Sequence, residues 1–210
     1  MMKSLLAPSA LLLMAAGAAQ ADRPMVFDVA EDHTRIFMAD APLHENGMPA
    51  HGNAFISQGY IYPAGTLAAD TAGVLEDGSP AFPELVLGTW TCDGYFVGEG
   101  GNATEGVWII SRQVFAFEDG DTIITQGTEI VETGVENIRP ITGASGDYSG
   151  LKGDMAQTLL GFSEQMTVNV SFRLLDADAY QAPRESGEDI EWDSGFPLEP
   201  ASGHIGDAAS

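Results

Sequence analysis

The chain of 210 residues carries 8 Lys+Arg against 31 Asp+Glu, a formal net charge of −23 at pH 7. A surface this acidic repels phosphate backbones and anionic lipid, which argues against a nucleic-acid or membrane partner. The 25 glycines, 11 prolines and single cysteine point to an all-β domain and exclude an intramolecular disulfide framework.

The N-terminus reads as a signal peptide. Lys3 precedes the apolar run LLAPSALLLMAAGAA, and Ala19-Gln20-Ala21 is an A-x-A cleavage site. The run is too short and too rich in Ala and Gly to span a bilayer comfortably. Residues 1–21 are therefore expected to be removed, leaving a soluble chain from Asp22 that is secreted or periplasmic. The remainder suits one domain with a single core, expected over residues 22–175.

Alternation of apolar and polar residues predicts strands at 25–29, 35–38, 53–62, 85–97, 107–117, 122–131, 157–160 and 165–175. In 53–62, Phe55 falls on one phase and Ile56, Tyr60 and Tyr62 on the other. Residues 40–52 make a polar loop. Its His44 and His51 lack a third partner at metal-ligand spacing, so no metal site is predicted. In 85–97, Trp90, Cys92 and Phe96 share a face with Gly88 and Gly94, opposite Thr89, Thr91, Asp93 and Tyr95. Cys92, alone in an apolar strand without a neighbouring His, reads as a small buried hydrophobe, although a place in a lumen stays open. Glu118-Asp119-Gly120 is a hairpin turn between two strands. In 165–175, Met166, Val168, Val170, Phe172 and Leu174 line one face. Residues 176–210 are acidic, with Arg184 as their one Lys or Arg, and are expected to form a largely flexible tail. Seven or eight antiparallel strands without a parallel crossover make a closed barrel or a sandwich.

Motifs of hydrolases, metallopeptidases, nucleotide-binding loops and redox dithiols are absent. What remains is a set of ionisable groups in predicted strands: Asp28, Asp93, Arg112, Glu129 and Arg173. In a barrel, half of such positions face the lumen, where burial shifts pKa values and suits general acid–base work.

Residues 141–153 read ITGASGDYSGLKG, and Gly143, Gly146, Gly150 and Gly153 mark a tight corner between strands. This corner resembles that of dirigent proteins and plant allene oxide cyclases. FAFEDGDTIITQG before it and LVLGTWTCDGYFV upstream are similar to the strands that precede the corner, so the likeness runs from about Phe55 to Leu175. The resemblance selects an eight-stranded antiparallel closed β-barrel and implies a homotrimer without a cofactor. It also implies a lumen that takes a small hydrophobic or aromatic ligand and steers its cyclisation, isomerisation or stereoselective coupling. Such steering works by proximity and orientation, helped by one or two carboxylates. On this reading Asp28, Asp93 and Glu129 are the catalytic candidates, with Asp28 nearest to the families' early-strand carboxylate. Trp90, Cys92, Tyr95 and Arg112 are the ligand-binding candidates, and Arg112 is the expected counter-charge. The alternative is a non-catalytic ligand-binding or structural barrel, and two or more ionisable groups inside a cavity would speak for catalysis.

Overall fold

The structure, a computed structural model, describes residues 25–175. The expected signal peptide and acidic tail lie outside the described residues. Among these, nine strands occur in chain order: β1 (Val26–Glu31), β2 (Phe37–Met38), β3 (Ala54–Pro63), β4 (Gly88–Phe96), β5 (Val107–Phe117), β6 (Thr122–Ile130), β7 (Glu136–Ser145), β8 (Asp154–Phe162) and β9 (Val168–Leu175). All pairings between them are antiparallel. The sheet runs β1-β9-β8-β7-β6-β5-β4-β3-β2 and closes because β3 also pairs with β1, from Phe27 opposite Pro63 to Glu31 opposite Gly59. The result is an eight-stranded closed barrel with β2 as an extra piece. β2 continues the track of β1 along the edge of β3. Between them Asp32 caps one turn of 3₁₀ helix, accepting hydrogen bonds from the backbone N–H and the hydroxyl of Thr34.

β7 was not anticipated from the alternation. Of its ten residues only Arg139 is buried; exposure alternates from Glu136 to Gly143, but the apolar Ile138, Pro140 and Ile141 do not keep to one phase, so the sequence carries no apolar period of two. Ring closure, not amphipathicity, makes it a strand: Thr122–Thr125 pair with one end and Asp154–Thr158 with the other. The glycine corner is correspondingly shorter than expected. Gly143 belongs to β7, and a Cβ there would make only ordinary contact with Ile124. The turn begins at Gly146, whose φ of 63° lies in the left-handed region and whose Cβ would collide with the Asp121 carboxylate. That carboxylate accepts a hydrogen bond of 2.8 Å from the Asp147 N–H, which docks the corner onto the β5–β6 hairpin.

The phase of β4 matches its alternation: Trp90, Cys92 and Phe96 are buried, while Thr89 and Tyr95 are exposed. Gly94 lets β4 approach β5, since a Cβ there would strike the Ile110 carbonyl. Met166, expected on the apolar face of the last strand, instead lies in the β8–β9 turn with φ 61° and is 71% exposed.

The interior is layered along the barrel axis. One end is filled by Phe27, Phe115, Phe117 and Phe172, with ring centroids 4.8–5.6 Å apart, together with Ile61, Ile123 and Met155. A polar belt follows, made of Ser111, Gln113, Thr125, Glu129, Arg139 and Gln157, all buried. Beyond the belt the other half of the lumen is open. An eight-stranded barrel is just wide enough for this choice between side-chain filling and one small ligand.

On the outside, residues 64–87 cross β1 and β3 as a strap. Leu67, Val74 and Phe82 cover Ala30 and Tyr62. The Tyr62 hydroxyl donates to the Gly73 carbonyl at 2.6 Å, and the Asn169 amide donates to the carbonyls of Ala68 and Thr71. The strap gives several outward-facing side chains of β1 and β3 a buried environment.

Candidate functional site

The open half of the lumen is a cavity of about 360 Å³. Its floor is the polar belt, represented by Glu129 and Gln157 with Cys92 beside them, and its walls are apolar and aromatic. Phe55, Trp90 and Phe96 reach it by ordinary strand alternation. Trp108 and Phe162 reach it by a different route. The register of β5 against β6 shifts between Val107 and Ile109, and that of β8 against β9 between Leu159 and Gly161. Such bulges re-aim a side chain locally, and here they bring two aromatic rings into the mouth. Trp108 then stands edge-on to Phe96 at 5.8 Å and to Phe162 at 6.4 Å. Met38, Met48 and Met166 come from three separate loops and short strands to line the same opening.

Glu31 is the acid that the first strand presents to this cavity. It shares the phase of the buried Phe27 and Val29, so period two carries it inward. Its Oε2 accepts a hydrogen bond of 3.1 Å from the Val168 N–H. Burial pushes its pKa up to about 6, against the lowering effect of the Ser57 hydroxyl and the Val168 N–H, and the nearby charge of Glu129 adds to the rise. Part of its surface remains open to the cavity. A carboxyl titrating near 6 can hold or release a proton close to neutral pH, which is what general acid–base work requires.

Glu129 also lines the floor, but in a saturated setting. Oε1 accepts from Gln113 at 3.0 Å, from the Cys92 thiol at 3.6 Å and from the Ser111 hydroxyl, while Oε2 accepts from Gln157 at 2.7 Å. Arg139 Nη1 lies 3.6 Å from Oε1. The guanidinium is fully buried and fully occupied. Its Nε donates to Thr125, Nη1 to the carbonyls of Gly127 and Thr128, and Nη2 to the carbonyl and hydroxyl of Ser111. This is a buried, hydrogen-bonded ion pair of the kind that specifies a core arrangement. Burial, and secondly the charge of Glu129, push the Cys92 thiol well above its ordinary range, so it stays protonated and is unsuited to nucleophilic attack.

The structure thus brings Trp90, Cys92 and Glu129 together at one cavity and leaves the other candidates elsewhere. Asp28 is buried on the opposite side of β1, under the strap, where its carboxylate accepts from the Leu67 N–H at 3.1 Å. Asp93 and Arg112 face each other across β4 and β5 on the outer surface and pair at 2.8 Å, so the expected counter-charge serves an external acid. Arg139 takes that place inside. Tyr95 is 59% exposed on the same outer face and does not line the cavity. The alternation of VFDVAE contained the signal for Glu31, since it follows Phe27 and Val29 at intervals of two; reading the strand only to residue 29 hid it. Arg139 lies on the unanticipated β7. Trp108 and Phe162 depend on bulges that no alternation reveals.

Trp90 carries a further feature. It lines the cavity, and its buried indole N–H has no acceptor among the described residues.

No protein-family model matches the chain, and no curated protein matches it in sequence. Among solved structures it is similar to a pyocyanin demethylase, with 14% identity and a TM-score of 0.46 over 72% of this chain and 98% of that one. It is also similar to the pterocarpan synthase dirigent protein PsPTS1, with 14% identity and a TM-score of 0.49 over 72% of this chain and 94% of that one. A third similarity is to the pterocarpan synthase dirigent protein GePTS1, at 12% identity and a TM-score of 0.47 over 71% and 86% of the two chains. At these values the likeness concerns the barrel architecture, which the strand pairing establishes by itself, and nothing in the site.

Proposed function

We propose that the protein is an exported barrel that takes one small, largely apolar molecule into the open half of its lumen and steers an isomerisation or cyclisation there, with Glu31 as the proton-exchanging group. The observation that carries this reading is the asymmetry of the interior. One half is plugged by phenylalanine rings, whereas the other keeps a cavity of about 360 Å³ walled by aromatic side chains, with Glu31 inside it titrating near 6. Concave, mostly apolar sites with a few convergent polar groups are the usual form of small-molecule sites. Steering needs little more: walls that restrict the conformation of a reactive molecule and one group that moves a proton. Export and assembly as a homotrimer belong to the same proposal.

A second reading has one observation in its favour. Glu129, the other acid on the cavity wall, is held by five neighbours, so Glu31 has no free acid–base partner. That suits a carrier that binds without converting. Untargeted mass spectrometry of small molecules copurifying with the wild type and with Glu31→Gln separates the two. Steering is expected to yield different molecules, or a different ratio of isomers, from the two proteins. Identical ligands from both would leave the carrier, and an empty lumen in both would remove the ligand-binding reading altogether.

A further inference from the structure

We propose that the cavity is built for a cation: a small aromatic or alkyl molecule bearing a quaternary or readily protonated nitrogen, seated between the aromatic wall and Glu31. The inference rests on the small-molecule reading above and narrows its substrate class by charge.

The charges that line the cavity are of one sign. Glu31 and Glu129 belong to its wall, and no Lys, Arg or His does among the described residues. The nearest cation, Arg139, is fully buried and already binds five acceptors besides Glu129, so it has no donor left for a ligand. Glu129 has its positive partner in that arginine. Glu31 takes part in no ion pair among the described residues, although it shares the cavity with Glu129. An unpaired carboxylate in a desolvated setting calls for a counter-charge, and the protein does not provide one.

The walls suit the missing partner. Trp90, Phe96, Trp108 and Phe162 surround the space, and aromatic faces attract ammonium groups, indole most strongly. An anionic ligand would instead meet the unpaired Glu31 with no donor cation free to compensate, which is a repulsive arrangement in a low-dielectric site. A neutral ligand would fit the walls but leave Glu31 unpaired. At long range a chain with formal net charge −23 raises the local concentration of cations and lowers that of anions. Local and long-range electrostatics therefore select in the same direction.

Three naphthyl probes of similar size test this by isothermal titration calorimetry on the whole purified chain at about pH 7.5, where Glu31 is ionised: (2-naphthylmethyl)trimethylammonium, the neutral 2-(methoxymethyl)naphthalene, and 2-naphthylacetate. The cation is expected to bind at least about tenfold more tightly than the neutral probe, with the acetate weakest. Glu31→Gln is expected to reduce the preference for the cation to below about threefold, whereas Asp93→Asn on the outer face retains it. Neutral or anionic probes binding as tightly as the cation would overturn the cation inference and leave the small-molecule reading standing. Equal loss of preference in both variants would assign the selection to net charge instead of the cavity, and would also overturn it. Failure of all three probes at about millimolar concentration would remove both readings. The three-probe comparison on the wild type decides the matter even if Glu31→Gln does not fold.

Discussion

Glu31 holds a carboxyl where the fold disfavours its charge, and stability must register that. Between its ordinary value of 4.5 and about 6, the folded protein retains a proton that the unfolded chain has already released. Stability is therefore greatest with respect to this group below 4.5 and falls as pH rises through the window to about 6. Above that the loss is constant, bounded by about 2 kcal/mol because Glu31 keeps part of its surface open. Melting curves of wild type and Glu31→Gln across this window isolate the group, since other titrations cancel in the difference. The variant is expected to gain relative to wild type as pH rises from 4.5 to 6, and a flat difference would show that Glu31 is solvated after all. A bound cation should offset the same loss. Cys92 is shifted in the same direction and by the same cause: burial raises its pKa so far that almost no thiolate forms near neutrality. Iodoacetamide at about pH 8 is expected to label it only after denaturation, because the thiolate is the reacting species. Fast labelling of the folded protein would contradict both the burial and the raised pKa.

The strands differ in how openly they declare themselves. β4 and β9 turn every second residue inward, and their sequences alternate accordingly, so their inner faces were legible: Trp90, Cys92 and Phe96 on one, Val170, Phe172 and Leu174 on the other. β7 buries one side chain and is a strand because its neighbours leave it the only place in a closed ring. Local pattern cannot carry information that resides in closure. The candidate site divides in the same way. Residues placed by simple alternation could be found, whereas Trp108 and Phe162 arrive through register shifts, and Arg139 arrives with β7. The glycine corner shows both sides. Its Gly146 is at φ 63° against the Asp121 carboxylate, a position where any Cβ is strained and crowded, while Gly143 is ordinary strand. Gly146→Ala is expected to destabilise by at least about 1 kcal/mol in urea unfolding, and Gly143→Ala by clearly less. Equal effects would mean that the Asp121 contact does not hold the corner.

The whole molecule assigns different tasks to its two ends. The plugged end has aromatic ring pairs 4.8–5.6 Å apart, so removing Phe115, which is 0% exposed, opens a void among side chains held by six strands. Phe115→Ala is therefore expected to lower unfolding stability by about 3–5 kcal/mol. The open end already contains a void, and Phe162 at its mouth keeps part of its surface accessible, being 37% exposed. Phe162→Ala should thus reduce stability by less than about 1.5 kcal/mol, since little new cavity is created and part of the lost contact is with solvent. Binding should respond in reverse. Phe162 supplies one edge of the aromatic mouth with Trp108, so its removal is expected to weaken the naphthylmethyl-ammonium probe several-fold. In Phe115→Ala the cavity wall is intact, and binding at a denaturant-free temperature well below melting should change little. Urea titration and calorimetry on these two variants give four numbers that must fall in a crossed pattern. If both substitutions lowered stability and affinity together, the lumen would be one continuous core, and the division into a plug and a cavity would not describe how this barrel works.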